Sequence, residues 1–170
     1  MDKERMSHIP LINDQDEVIG KTTIKEAKAS GQFRRIVRVF IFDEAGRMLL
    51  QLRSKHVHAS PRRWDQAVGG HVDYGESYQQ AAHREMKEEI GIETSLTEIA
   101  ISIKAGDMFN GIFKATINSN TKFSLDQREV EEVAWCTVEE FENDEKRNPQ
   151  NYTSGFPEIW KKFRDKLITS

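Results

Sequence analysis

Cysteine is nearly absent from this sequence, because Cys136 is the only one among 170 residues. An internal disulfide therefore cannot form, and a reducing compartment is expected. No segment is apolar enough to serve as a signal peptide or to span a membrane. The net charge of −3 lacks the excess of positive charge that nucleic-acid polymers attract. We therefore expect a cytoplasmic protein with no membrane and no nucleic-acid partner, in which Cys136 is a small core residue.

The length and composition fit one domain. A chain of 170 residues can bury a good core, and 37% apolar with 31% charged residues is ordinary for a soluble protein. We predict a single domain over residues 1–170, with a hairpin and a short helix in 1–32 and the core in 33–170.

Hydrophobic periodicity predicts a mixture of strands and helices. Residues His8–Thr22 are typical of two short strands around a polar turn, and Thr23 with Glu26 forms a capping-box pattern for a short helix. Such a mixture predicts an α/β fold, in which helices flank a sheet. Further strands are predicted at Phe33–Phe42, Arg47–Arg53, Leu96–Lys104, Met108–Asn118 and Glu132–Thr137. One short helix is predicted to begin at Val138, and a terminal helix to cover Phe156–Leu167.

One helix carries an unusual cluster of acidic residues. Apolar residues recur every four positions from Tyr78 to Ile90, and Gly91 stands where a left-handed cap ends a helix. Glu85, Glu88 and Glu89 then lie on one face of this helix, where like charges repel by about 0.2–0.5 kcal/mol per pair. Oxygen ligands suit a hard divalent cation that would neutralise them. The alternative is a solvated acidic face.

The spacing around this helix forms a complete motif. Residues 70–92 read GHVDYGESYQQAAHREMKEEIGI, with fixed glycine, glutamate and arginine positions. The segment resembles the Nudix box at every specified position. The resemblance implies a Nudix-type α/β/α sandwich with a mixed sheet, and a hydrolase that uses Mg²⁺ or Mn²⁺ to attack a diphosphate with water. It also implies a small-molecule diphosphate as the partner, and homodimers are frequent in this family.

The resemblance also implies roles for particular residues. Arg84 and Glu76 would pair and orient the helix. The implied metal ligands are the carbonyl of Gly70 and the carboxylates of Glu85, Glu88 and Glu89, and the implied catalytic residues are Arg84, Glu88 and Glu89.

Candidates outside the motif are less specific. A further carboxylate is expected from the charged run at 126–132, where we favour Glu129 as a fourth ligand or general base. The alternative is that this run is a solvated loop. Arg53, Lys55 and Arg63 are candidate phosphate ligands, although each is equally typical of a soluble surface. Trp64 is a candidate for stacking on a base, with core packing as its alternative.

The chemistry divides into three alternatives. The order of LLQLRS, SPRRWDQAVGGHV and the box looks like the branch of the Nudix superfamily related to isopentenyl-diphosphate isomerase. An isomerase of this kind would need a cysteine where Gly69 stands, and would use His71 as a metal ligand. A non-catalytic nucleotide sensor would have a decayed box, whereas this box is complete. We therefore favour hydrolysis of a nucleoside diphosphate linked to another moiety, and the sequence leaves that moiety open.

Overall fold

The computed structural model describes residues 7–169. Within that range the chain forms strands β1 (His8–Ile12), β2 (Val18–Thr23), β3 (Arg34–Phe42), β4 (Met48–Arg53), β5 (Trp64–Gln66), β6 (Val68–His71), β7 (Thr97–Ala105), β8 (Met108–Thr116) and β9 (Val130–Cys136). The helices are α1 (Ile24–Ala29), α2 (Tyr78–Ile90), α3 (Val138–Arg147) and α4 (Gly155–Thr169), with a 3₁₀ turn at Pro149–Asn151.

The N-terminal hairpin and α1 form where the sequence predicted them. Strands β1 and β2 pair antiparallel, and the side chains of Thr23 and Glu26 complete the capping box at the start of α1. The hairpin turn is fastened to the rest of the protein through Asp16. Its carboxylate accepts hydrogen bonds from Arg35 Nε at 2.6 Å and from the Tyr78 hydroxyl at 2.7 Å. The hairpin therefore joins β3 and the first turn of α2.

A mixed sheet forms the centre of the fold. Its strand order is β5-β4-β3-β8-β7, with β6 also paired to β3 and β9 also paired to β4. Strand β3 runs parallel to β8 and antiparallel to β6. Because almost every residue of β3 is buried, this strand forms the floor on which both helical layers pack.

Alternating residues of β3 face two separate cores. Val37 and Val39 pack with Met86 and the other apolar residues of α2. Phe40 packs on the opposite face, with Trp160 of α4. Helices therefore cover both faces of the mixed sheet, which confirms the predicted α/β/α sandwich.

Several boundaries differ from the predictions. Strands β5 and β6, at 64–71, were not predicted, because segments of three and four residues interrupted by glycines carry little periodicity. Helix α3 continues to Arg147. The sequence predicted only where it begins, because its outer face is charged and gives no apolar periodicity. Cys136 is half-buried at the end of β9, and burial raises the pKa of its thiol to about 11. No helix within residues 7–169 is long and apolar enough to cross a membrane.

Candidate active site

Helix α2 presents two of its glutamates to the interior. Ser77 caps the first turn, and Gly91, with φ 72°, ends the helix in the left-handed conformation. Glu85 and Glu89 lie one turn apart, and both are buried, whereas Glu88 remains about one-third exposed. The helix thus holds two acidic groups side by side at the edge of β6.

Glu129 joins these two carboxylates from a distant part of the chain. Ligand oxygens of Glu85, Glu89 and Glu129 all lie within 4.8 Å of one another. The segment before β9 is fixed at both sides: Ser54 donates its amide to the carbonyl of Glu129 at 2.9 Å, and the amide of Asp126 donates to the carbonyl of Glu89 at 3.0 Å. Three carboxylates at this separation form a site of the kind that Mg²⁺ or Mn²⁺ occupies.

Gly70 allows the approach of Glu85 to the sheet. A Cβ at position 70 would lie 2.4 Å from the carboxylate of Glu85, so any side chain there would displace it. The strand can therefore bring its backbone against the carboxylate group only with glycine at this position.

Glu89 is the most deeply enclosed member of the cluster. Gln51 donates a hydrogen bond to its carboxylate at 2.7 Å. Burial, followed by the neighbouring charges of Glu85 and Glu129, raises the pKa of Glu89 well above its usual range. A bound cation would reverse this effect, because it stabilises the ionised form.

Arg84 organises the loop that precedes α2. Its Nε donates to Glu76 Oε1 at 2.7 Å, and its Nη2 donates to Glu76 Oε2 at 3.0 Å and to the carbonyl of His71 at 3.0 Å. The expected pairing of Arg84 with Glu76 is therefore present, in bidentate form. Nη1 also donates to Glu85 at 2.8 Å and to Glu88 at 3.2 Å. Glu88 thus contacts Arg84 and lies outside the group of three carboxylates.

His71 is held as a neutral acceptor. Its Nε2 lies 2.9 Å from Nη1 of Arg34, a donor that never loses its protons. Burial, and then the positive charges of Arg34 and Lys28, lower the pKa of His71 to about 3. Its Nε2 lone pair is therefore engaged with a cation and is not available to a metal ion.

The four candidate substrate ligands have different surroundings. Arg53 lines the cavity beside the carboxylates, and its Nε donates to the carbonyl of Ala59 at 3.0 Å. Lys55 and Arg63 are exposed and lie outside the cavity wall. Trp64 also lies outside that wall and packs against the core under α4, which is the alternative that the sequence left open.

The cavity extends away from the carboxylates along the other face of β3. It measures about 760 Å³ and reaches the first turn of α4. Arg38, Gln66 and Asn110 form its buried polar floor, and none of them was predicted from the sequence. The available signal was a lone arginine inside the apolar strand around Val37 and Val39, where a buried charge is unusual.

The fold and the box glutamates define the class of this protein. Residues 32–154 match the NUDIX domain family, and the chain belongs to that family of hydrolases. It is 34% identical over 141 residues to an uncharacterised Nudix hydrolase of Listeria monocytogenes, covering 81% of this chain and 83% of the relative.

Two further comparisons bear on the branch and on the fold. The chain is 33% identical over 141 residues to an isopentenyl-diphosphate delta-isomerase of Streptomyces griseus, covering 78% of this chain and 72% of the isomerase. The crystal structure of DR0079 from Deinococcus radiodurans has a TM-score of 0.80 at 22% identity, covering 91% of this chain and 98% of that one. The similarity to the isomerase confirms the expected isomerase-like branch of the Nudix superfamily, and the DR0079 structure confirms the fold.

Proposed function

We propose that this protein hydrolyses the diphosphate linkage of a nucleoside diphosphate linked to another moiety, with a divalent cation and by attack of water on phosphorus. The observation that carries the proposal is the convergence of Glu85, Glu89 and Glu129 beside a large cavity. A diphosphate brings negative charge to the bond that breaks, so a purely acidic wall would repel it without a cation.

The residues present fit Mg²⁺ or Mn²⁺. All three carboxylates offer hard oxygen ligands, and the raised pKa of Glu89 follows from burial and from the mutual repulsion that a cation would relieve. The resemblance adds the carbonyl of Gly70 and the carboxylate of Glu88 as ligands. The bound cation supplies charge neutralisation on the diphosphate and a more acidic water.

The chain's own groups then position the reactants. Glu129 is half-buried at the cavity wall, where its carboxylate holds the cation or takes a proton from water. Arg84 fixes the loop at 71–76 against α2, so that Gly70 and Glu85 keep their separation. Arg53 stands on the cavity wall, where its guanidinium contacts a phosphate oxygen.

The similarity to an isomerase makes alkene isomerisation the second candidate. Two features of the structure and one of the sequence disfavour it. Gly69 has no side chain, and a Cβ there would lie 2.8 Å from Gln66 Nε2. His71 accepts a hydrogen bond from Arg34 in place of a metal. The resemblance also calls for a carboxylate on the strand after the box, where the best alignment gives Gly106 and Met108. A nucleotide sensor is disfavoured by the complete box.

A phosphate-release assay tests the proposal. Nucleoside triphosphates, ADP-ribose, nucleotide sugars, dinucleoside polyphosphates and coenzyme A would be offered with Mg²⁺, with Mn²⁺ and with excess chelator. We expect at least one compound to be cleaved only with metal, and Glu89→Gln and Glu88→Gln to lower that turnover by orders of magnitude. The exposed Glu98→Gln is the matched control. Undiminished turnover in chelator, or full activity in both variants, would refute the proposal.

The proposal includes a cytoplasmic location and a homodimer. The first rests on the single cysteine, and the second on what is usual in the family. Light scattering of the purified chain measures its mass directly, and a monomeric mass at all concentrations would refute the proposed homodimer.

A further inference from the structure

A buried glutamine lies on the face of β4 that packs against α2. Gln51 is 3% exposed, and Leu49, two residues earlier in the strand, belongs to the apolar core that contains Met86 of α2. Side chains two positions apart in a strand point to the same face of the sheet. Gln51 therefore places an amide where an apolar side chain would otherwise continue the core. Such an amide must have partners, because burying it without hydrogen bonds is unfavourable.

Both side-chain N–H donors of Gln51 have acceptors. Its Nε2 donates to the backbone carbonyl of Ala67 at 2.9 Å and to Oε2 of Glu89 at 2.7 Å. The carbonyl of Ala67 can only accept, so the nitrogen of the amide, and not its oxygen, must lie on this side. The bond to Ala67 thus fixes the amide from the backbone between β5 and β6, and it directs the second N–H at Glu89.

The bond from Gln51 determines which oxygen of Glu89 is left for a cation. The amide of Gly69 lies 3.5 Å from the same oxygen, Oε2, so both described donors approach one side of the carboxylate. None of the residues in 7–169 donates to Oε1 of Glu89. Because Oε2 is held by the sheet, Oε1 is the oxygen that can turn toward the other carboxylates of the cluster.

The neutral charge of this donor suits a metal site. Arg84 donates to Glu85 Oε1 at 2.8 Å, so a positive charge already compensates that carboxylate. An amide orients a carboxylate without cancelling its charge, and Glu89 can therefore offer its full negative charge to a cation. A lysine in place of Gln51 would instead form an ion pair with Glu89 and compete with the cation.

We infer that Gln51 is a positioning residue, which holds Glu89 so that Oε1 of its carboxylate binds the divalent cation. The inference rests on the proposed function, in which Glu89 is a ligand of that cation, and it adds a residue outside the Nudix box to the metal site. Removing a group that orients a ligand typically lowers metal affinity by about 10–100-fold. The alternative is that Gln51 only connects β4 to α2 and to Ala67.

Binding of Mn²⁺ in the absence of substrate tests the inference. Electron paramagnetic resonance measures free Mn²⁺, so dissociation constants are obtained whether or not the protein is a hydrolase. Gln51→Met keeps the length of the side chain and removes both donors. We expect this variant to bind Mn²⁺ about 10–100-fold more weakly than the wild type. A folded Gln51→Met variant with the affinity of the wild type would overturn the inference.

Gln66→Met is the matched control. Gln66 is also a buried glutamine that lines the cavity, and its Nε2 donates to the carbonyl of Val68 at 3.3 Å. None of its described side-chain hydrogen bonds reaches the three carboxylates. We expect its Mn²⁺ affinity to match that of the wild type. A loss as large as that in Gln51→Met would show that any buried glutamine of the cavity has this effect, and it would refute the specific role of Gln51.

Gln51→Lys tests the role of charge, also in the event that Gln51→Met does not fold. It keeps a donor at this position, and its ion pair with Glu89 should support folding in chelator. We expect this variant to bind Mn²⁺ more weakly than Gln51→Met does. A wild-type affinity in Gln51→Lys would overturn the inference.

Exchange of the Gln51 side-chain N–H protons, followed by NMR, tests the same bond in the wild type. We expect slow exchange with solvent both in chelator and in saturating Mg²⁺, because Oε1 binds the cation and Oε2 keeps its bond to Gln51. Faster exchange in Mg²⁺ would show that Glu89 turns away from Gln51 to bind metal, and the inference would fail.

Steady-state kinetics distinguish a positioning residue from a ligand. For a compound that the wild type cleaves, Gln51→Met should need about 10–100-fold more Mg²⁺ for its half-maximal rate and approach the wild-type kcat at saturating metal. Glu89→Gln should remain slow at every Mg²⁺ concentration. A lowered kcat in Gln51→Met with an unchanged Mg²⁺ requirement would refute the role of Gln51.

The outcomes separate the two proposals. Weaker Mn²⁺ binding in Gln51→Met, with no compound cleaved by the wild type, supports the role of Gln51 while the hydrolase proposal fails alone. Metal-dependent cleavage by the wild type, with equal Mn²⁺ affinities in wild type and Gln51→Met, refutes the role of Gln51 alone.

Discussion

The backbone amide of Asp126 donates to the carbonyl of Glu89 at 3.0 Å, and this bond connects the loop before β9 to the end of α2. The last carbonyls of a helix have no partner within it, so the loop satisfies a group that would otherwise need water. The amide of Glu129 in turn donates to the carbonyl of Asp126 at 2.9 Å. The position of Glu129 is therefore set from the same helix end that carries Glu89.

Glu89→Gln should stabilise the metal-free protein and abolish its response to metal. The pKa of Glu89 is raised in the folded state, so its stabilising contribution is present below the unfolded pKa and is lost as pH rises through the folded pKa. Glutamine stays neutral and keeps the acceptor for Gln51, so at pH 7 in chelator Tm should rise by about 2 °C or more. Calorimetry with and without Mg²⁺ measures both effects. A Mg²⁺-induced rise in Tm as large as that of the wild type would contradict the role of Glu89 as a ligand.

Glu76→Gln should destabilise the metal-free protein. Burial alone would raise the pKa of Glu76, but the bonds from Arg84 and from the amide of Asp73 outweigh it and lower that pKa. Losing a charged, bidentate partner of Arg84 should cost about 1–3 kcal/mol of unfolding free energy. Denaturant unfolding in chelator measures the loss, with Glu98→Gln on the exposed face of β7 as its control. Equal midpoints for the two variants would show that the pair does not orient the helix.

His71→Gln should make the protein more resistant to acid. The depressed pKa of His71 means that the folded state keeps it neutral, so its contribution is present above about 6.5 and is lost as pH falls toward about 3. Each pH unit in this window costs the wild type up to about 1.4 kcal/mol relative to a residue that does not titrate. Glutamine retains an acceptor for Arg34. Unfolding free energies at pH 7, 5 and 4 test this, and His83→Gln controls for loss of a histidine elsewhere. A constant difference between wild type and His71→Gln at all three pH values would reject it.

Gly69→Cys should not create an isomerase. The new Cβ would press on Gln66 Nε2, which is held in place through Arg38, and no described carboxylate stands at Gly106 or Met108 to complete an acid–base pair. We expect no dimethylallyl diphosphate from isopentenyl diphosphate with either wild type or variant, and weaker hydrolysis in the variant. Product above a no-enzyme control, in protein free of host isomerase, would overturn this reasoning.

Local patterns in the sequence predicted helix α2 and its C-terminal cap at Gly91, whereas they could not predict contacts between distant parts of the chain. The spacing of Glu85 and Glu89 fixes them on one face of α2 whatever surrounds it. Glu129 was favoured within a charged run, but its approach to Glu89 depends on the fastening of Asp126, which no local pattern reports. The same limit applies to Glu88, whose contact with Arg84 depends on the loop conformation.

The buried polar floor of the cavity was also beyond the sequence. Arg38 interrupts an apolar strand, which signals a special environment, but its partners come from β5 and β8. Trp64 was ambiguous because an aromatic residue in a segment with no predicted strand suits either a binding surface or a core. In the structure, strand β5 directs the Trp64 side chain into the core under α4, so core packing is the correct alternative.

The parallel pairing of β3 with β8 suggests a hypothesis for the order in which the site assembles during folding. Residues 34 and 108 stand side by side at its start, so a long loop must close before this pair forms. The position of Glu129 in the native structure depends on the pairing of β9 with β4 and on the docking of the preceding loop, so we expect it to reach α2 after both have formed. We therefore expect the three proposed ligands to meet late in folding, so that a cation would have no assembled site in the transition state. Metal should then slow unfolding and leave the folding rate almost unchanged, so that a bound cation would increase the kinetic stability of the folded protein.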